Sequence, residues 1–317
     1  MSLDGLRPAK QNASDEADPL DWPTIAVALC VYGGWMLVTR LHGAIPKALL
    51  PVAGGWLVAW HGSLQHETIH GRPTSSSRLN AMIGFAPLSL WLPYERYRQT
   101  HLAHHATIEL TDPLHDPESR YVPAPRGPIG WVRFLSAQWQ ATLPGRLILG
   151  PWLAIIGFLG GEVVRLLRGE ANCRRIWIGH AAAAALVLTW LHACRMGFSE
   201  YILAFVYPGA ALTLLRSFAE HRADPIHDRR VAIVEKAPVF GLLFLHNNLH
   251  VLHHARPDLA WWRLPRVYAR HRAAILDANG GLVYAGYTDV GRRFLFKPHD
   301  DVIYPAGAAY PRVDPGA

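Results

Sequence analysis

Long apolar runs alternate along this chain with short polar stretches, and the polar stretches carry the histidines. Thr24–Thr39 is apolar until Arg40, and Ile45–Trp60 follows after the short connection Arg40–Ala44. Each run is a little short of the roughly 20 residues that cross a bilayer core as a helix, a deficit that flanking residues make up. So short a connection makes the pair an antiparallel hairpin. Ala81–Pro93 is apolar but too short to cross, and with Trp91 and Tyr94 at its end it reads as an interfacial or re-entrant piece. Leu147–Leu167 contains Glu162 and Arg165 and fits either an amphipathic surface helix or a short hairpin. Ile176–Ala193 and Phe198–Leu215 are the clearest later spans, joined near Arg195-Met196-Gly197. The pattern predicts an all-α integral membrane protein with about four transmembrane helices.

Composition agrees with a membrane protein. Half of the 317 residues are hydrophobic and only 17% are charged, against about a quarter in soluble domains. The net charge is +7, and the basic residues lie between the apolar runs. Such a face suits anionic lipid headgroups or an acidic protein partner, while the apolar runs argue against nucleic acid. Cys30, Cys173 and Cys194 are isolated, which argues against a disulfide framework, a thiolate zinc site or an Fe–S cluster. Residues 1–22 form a polar tail with Asp4, Asp15, Glu16, Asp18 and Asp21 and no signal-peptide pattern. Residues 23–265 form the membrane domain. Residues 266–317 are a polar, Pro/Gly-punctuated extension whose end, from about Ala306, reads as disordered.

The histidines add the chemistry. His66-x-x-x-His70 follows the second apolar run, and His101-x-x-His104-His105 follows the short one. The richest stretch, His246-Asn247-Asn248-Leu249-His250-Val251-Leu252-His253-His254, follows Val239–Leu245. If the helix continues through it, His250, His253 and His254 share one face. Imidazole suits iron, zinc, copper and nickel. With two hairpins, every cluster falls on the N-terminal side of the membrane, as one metal site requires. Arg133, Arg146, Arg174, Arg175, Arg229, Arg230, Arg263 and Arg266 fall there too, which by the positive-inside rule is the cytoplasm. In a bacterium the membrane would be the inner one.

The order and spacing of these three boxes resemble the membrane fatty acid desaturase superfamily, over roughly Trp60 to Pro265. Asp112 and Asp116-Pro117 resemble the Asp-Pro loop common after the second box there. The pattern H-N-N-L-H-x-x-H-H, here His246–His254, resembles the bacterial hydrocarbon oxygenase-like branch. The resemblance implies a cytosolic helical cap holding two non-haem irons, with His66, His70, His101, His104, His105, His250, His253 and His254 as ligands. His221 stands where a further ligand is expected, although the asparagine usual one turn earlier is here Ser217. It also implies O₂ as co-substrate, used to take hydrogen from an aliphatic C–H bond of a fatty-acyl or lipid-like chain. Desaturation is the first reading and hydroxylation, as a monooxygenase, the runner-up; no residue separates them. No redox domain is recognisable after Pro265, so a separate donor such as a ferredoxin or rubredoxin, with its reductase, is expected.

A rival reading comes from His66-Glu67-Thr68-Ile69-His70, which is also H-E-x-x-H, the zinc-protease motif with Glu as general base. It leaves the other two boxes unexplained; in the desaturase reading Glu67 supports a ligand or is merely solvated. The soluble di-iron bundle needs two Glu-x-x-His motifs, and only Glu67–His70 fits. His61 lies on another helical face from His66 and reads as a non-ligand, while a role for His246 stays open. His180 and His192 read as packed or interfacial histidines, His115 and His227 as surface residues. Trp261 and Trp262 read as an interfacial anchor.

Overall fold

A computed structural model describes residues 20–304. Most of the polar tail, and the whole segment from Ala306 read as disordered, lie outside the described residues. Helix α1 (Trp22–Arg40) starts at Asp21, whose carboxylate caps Thr24 while Pro23 occupies the first turn. After a turn, α2 (Leu50–Ile69) runs back. It begins later than the apolar run and continues through His61–Ile69, so the first box forms its last turns rather than a loop beyond it. Helix α3 (Ser77–Gly84) and the irregular segment after it stay at the same end, as expected of a piece too short to cross.

The second box lies on α4 (Tyr94–Ala106). Three helices follow: α5 (Gly127–Trp139), α6 (Leu143–Ile148) and α7 (Gly150–Leu167). Then α8 (Ala171–Ala193) and α9 (Phe198–Tyr201) are joined through Arg195 in the left-handed region. A π-helical segment, Ile202–Val206, leads from α9 into α10 (Tyr207–Glu220). The cap is completed by β1 (Ile233–Val234), α11 (Pro238–Leu243), α12 (His250–Ala255), α13 (Leu264–Ala278), β2 (Val283–Tyr284) and α14 (Tyr287–Phe294), with β1 parallel to β2.

Helices α1, α7, α8 and the stretch Phe198–Glu220 are long and apolar enough to cross a membrane. Helix α2, at 20 residues, is as long, but Ser63, Gln65, His66, Glu67 and Thr68 make its second half polar. It is the central helix, packed against α1, α3 and α10. Small residues bring α2 and α10 together. Pro208 has no N–H for the Ala204 carbonyl, which faces α2 at Gly54, where a Cβ would sit 2.4 Å from that oxygen. Gly209 in turn lies against Val58, where a Cβ would meet Cγ1 at 2.6 Å.

The ends of the helices show how they run. Trp261 Nε1 donates to Thr24 Oγ1 at 3.0 Å at the start of α1, and Trp190 Nε1 to Thr39 Oγ1 at 2.9 Å at its end. The end of α8 is therefore level with the end of α1, away from the histidines, and α2 and α10 return to His70 and His221. Helix α7 starts at the histidine end, where Gly150 faces Leu214 and Arg146 meets Ser217. It hands over to α8 at that same end. It is one helix, not a hairpin, and is apolar enough to cross a membrane. Glu162, the charge within it, is buried and satisfied, 3.0 Å from Arg96 of α4 and accepting from Trp177 Nε1 at 2.9 Å.

Candidate metal centre

The nine histidines named from the sequence converge in two groups. His66, His70, His101, His105 and His253 form one; His104, His221, His250 and His254 form the other, and within each group the candidate ligand atoms all lie within 4.8 Å of one another. Helix periodicity explains the split on α4. His101 and His105 are four apart and face the first group, while His104 turns to the second. His66 and His70 arrive from α2 with the same spacing. His221 follows α10 in extended backbone.

The third box differs from its expected form. The helix does not continue from Val239–Leu245, because α11 stops at Leu243 and Leu245 and His246 take left-handed backbone at φ 47° and 55°. The break lets Asn248 join β1: its carbonyl accepts from Val234 N at 2.9 Å and its Nδ2 donates to Val234 O at 2.6 Å. Helix α12 restarts at His250, so His250, His253 and His254 still come from one short helix. His246 is turned away, beside Gly241 and Trp261. His61 is buried in α2 and meets Tyr32 Oη at 3.3 Å. Neither belongs to the two groups. His180 meets the Leu90 carbonyl at 2.8 Å, His192 is exposed, His115 pairs with Glu109 and Asp112, and His227 pairs with Asp228. Trp261 and Trp262 tie the segment after α12 to Thr24 and Asp21.

Acceptors behind the rings fix which nitrogen points inward. Nδ1 of His66 donates to Glu67 at 3.2 Å, that of His101 to Glu118 at 3.1 Å, and that of His104 to Asp116 at 2.8 Å. His250 Nδ1 donates to Asn247 Oδ1 at 3.1 Å; Asn247 Nδ2 donates to Glu220, which Arg216 holds at 3.1 Å. A proton on Nδ1 leaves Nε2 as a lone pair. Yet Nε2 atoms face each other at 2.9 Å for His70–His101 and His221–His250, 3.0 Å for His105–His253 and 3.1 Å for His250–His254. Nε2 of His66 is buried with no hydrogen-bond partner among the described residues. Burial holds His250, His253 and His254 well below the ordinary histidine pKa, and holds His70 and His221 to about 3 and His105 to about 2. These shifts favour neutral, nitrogen-donating rings; His104 differs, its Asp116 hydrogen bond raising its pKa against the opposing effect of burial. Converging lone pairs repel unless a cation lies among them, so the residues fit bound metal.

Asp116 explains the Asp-Pro loop: besides His104, it accepts from the backbone N–H of Thr111 and Glu118, fixing the turn. Burial alone would raise the Glu118 carboxyl, but His101 and His104 outweigh it and hold Glu118 below the usual carboxylate range. Ser217 approaches no histidine; it accepts from Arg146 Nη2 at 3.1 Å. Glu118, Glu220, Arg216 and Asn247 were not singled out by sequence reasoning. The available signal was adjacency, since Glu118 follows Asp116-Pro117, Glu220 precedes His221 and Asn247 lies within the third box. Beside the centre, a cavity of about 350 Å³ between α2, α7 and α10 has Val58, Ile155, Leu214 and Trp91 in its walls and reaches Tyr97 and Glu118.

No curated protein matches the chain significantly. A family model described as "Fatty acid desaturase" matches residues 43–286, well over half of the chain and all nine histidines.

Proposed function

The chain belongs to the fatty acid desaturase family, an oxidoreductase family acting on lipids, and from that premise we propose that it is a membrane di-iron enzyme using O₂ to oxidise an aliphatic chain. The observation that carries this reading is the sorting of nine histidines into groups of five and four, with Nδ1 of His66, His101, His104 and His250 each facing an acceptor behind its ring. Groups of five and four donors exceed the three protein ligands of a catalytic zinc site. Glu67 also argues against a protease. It is buried behind His66, on the side away from the histidine group, where it cannot activate a water among the ligands.

In this reading His66, His70, His101, His105 and His253 hold one iron, and His104, His221, His250 and His254 the other. Bound iron supplies the power to activate O₂ toward an unactivated C–H bond. The chain's own residues orient and exclude. Glu67, Glu118, Asp116 and Asn247 fix the tautomers, and the cavity between α2, α7 and α10 receives an apolar chain beside the histidines, away from bulk water. Double-bond formation is the first product expected; an alcohol would mark the hydroxylase outcome. The histidine end faces the cytoplasm. Exposed Arg266 and Arg270, one turn apart on α13, suit docking of a separate acidic electron donor.

Metal analysis of the purified chain tests the proposal. About two irons per chain are expected, lost together with oxidation when the reduced protein is treated with a chelator. One tightly held zinc and no iron would sink it.

A further inference from the structure

The cavity beside the histidines has a neighbour across α7. This second cavity, of about 430 Å³, lies among α5, α6, α7 and the segments around Arg120 and Asp300. Ala154 lines both, and Arg146, which lines the second, donates to Ser217, which lines the first. Val132, Leu153 and Ile156 make part of the wall apolar, but three arginines share it: Arg120, Arg133 and Arg146.

Their charge is not balanced. The lining contains one carboxylate, Asp300, and Arg120 already holds it at 2.9 and 3.0 Å, with Tyr121 and His299 also bonded to it. Arg146 makes no ion pair among the described residues; Nη1 donates to Gln140 Oε1 at 2.9 Å and Nη2 to Ser217. Its Nε is buried without an acceptor among the described residues, and so is the Nε of Arg120. Burial, with Arg120 nearby, pulls the Arg146 guanidinium down to about 9, the response of a cation short of a counter-anion. Arg133 is exposed at the mouth and has no ion pair among the described residues. Buried donors left unpaired are costly, and two guanidinium donors in one cavity suit an oxyanion better than any neutral acceptor.

We propose that this second cavity holds the anionic head of the lipid substrate, a carboxylate or phosphate taken up by Arg146, Arg120 and Arg133, while the chain passes Ser217 into the cavity beside the histidines. The proposal rests on the reading of the chain as a lipid oxidoreductase and narrows its substrates to acidic amphiphiles. Asp300 sets the limit on crowding, since a head brought closer to it than to Arg146 would be repelled.

Equilibrium binding of dodecanoate, dodecyl phosphate and dodecanol to the purified full-length protein tests it. At least one anion should bind about tenfold or more tighter than the alcohol, the scale of a charge-assisted hydrogen bond in a buried site. The anion that gains more identifies the head. Arg146→Gln should remove the preference, the anion losing about tenfold or more in affinity relative to dodecanol. Since Arg146 also braces α6, Arg133→Gln provides a second variant at the exposed mouth and should reduce the preference by a smaller factor. Equal binding of all three ligands, or a preference surviving both substitutions, would overturn the proposal. Binding needs neither iron nor O₂, so a protein without iron that still prefers the anion would fault the enzymatic reading and leave the head site standing.

Discussion

The five-histidine group takes four of its residues from two helices, His66 and His70 from α2 and His101 and His105 from α4, and borrows His253 from α12. The four-histidine group is gathered from more distant places: His104 from α4, His221 after α10, and His250 and His254 from α12. Their supports differ in the same sense. Behind the first group stand Glu67, adjacent to its own histidine, and Glu118, whose side chain is 31% exposed. Behind the second stand buried Asp116, clamped by two backbone N–H groups, and a relay from Arg216 through Glu220 and Asn247 to His250. One group has donors to spare on stiff helices. The other has fewer donors and relies on a buried polar scaffold to keep them aimed.

The largest expected effect comes from deleting one ligand in each group. His253→Ala and His104→Ala, about 150 residues apart, should each abolish oxidation, because each opens a coordination position. Metal content should separate them: His253→Ala leaves four donors in its group, whereas His104→Ala leaves three in the other. Iron loss should therefore be more complete in His104→Ala. Full activity in a folded His104→Ala protein would break the idea of one joint site, and equal iron retention would erase the contrast between the groups.

Much of the first group can be read in the sequence because helical spacing places i and i+4 together. His66 and His70 on α2, and His101 and His105 on α4, need no tertiary information. The four-histidine group is less legible. Its members are united by contacts between α4, α10 and α12, and its supports act on the rear of the rings, so Glu220 reaches Asn247 across 27 residues. The break before His250 was invisible for a different reason. Leu245 and His246 adopt left-handed backbone without the glycine that usually marks it, and the pairing of Asn248 with β1 that accompanies the break is a long-range contact. Helix α7 shows the same limit. Its apolarity suits a span, but its packing along α10, with Gly150 against Leu214 and Trp152 against Tyr207, is a long-range contact that no local pattern marks.

Removing the carboxylates behind the rings should have a smaller effect. Asp116→Asn and Glu118→Gln each keep the side chain's shape but weaken the bond that fixes the histidine tautomer, a change worth about 10–100-fold in activity or metal affinity. Asp116 should lie at the upper end, because it is buried and no water can replace it. Glu118, partly exposed, should lie at the lower end. Rates and iron affinities of the two variants, measured side by side, would reverse the comparison if Glu118→Gln proved the more damaging.

The smallest effect is expected at Ser217, the position where the resemblance to desaturases calls for an asparagine one turn before His221. Ser217 lies in the last turn of α10, four residues before His221, which follows the helix in extended backbone. The serine hydroxyl instead donates to the Leu214 carbonyl at 3.3 Å and accepts from Arg146 at 3.1 Å. What braces this part of the four-histidine group is Glu220 with Arg216. Ser217→Ala should therefore cost one net hydrogen bond, about 0.5–1.5 kcal/mol, appearing as weaker substrate binding with iron content unchanged. An iron loss in Ser217→Ala comparable to that in Asp116→Asn would mean that the serine supports His221 after all, and that the scaffold of the second group extends one turn further down α10.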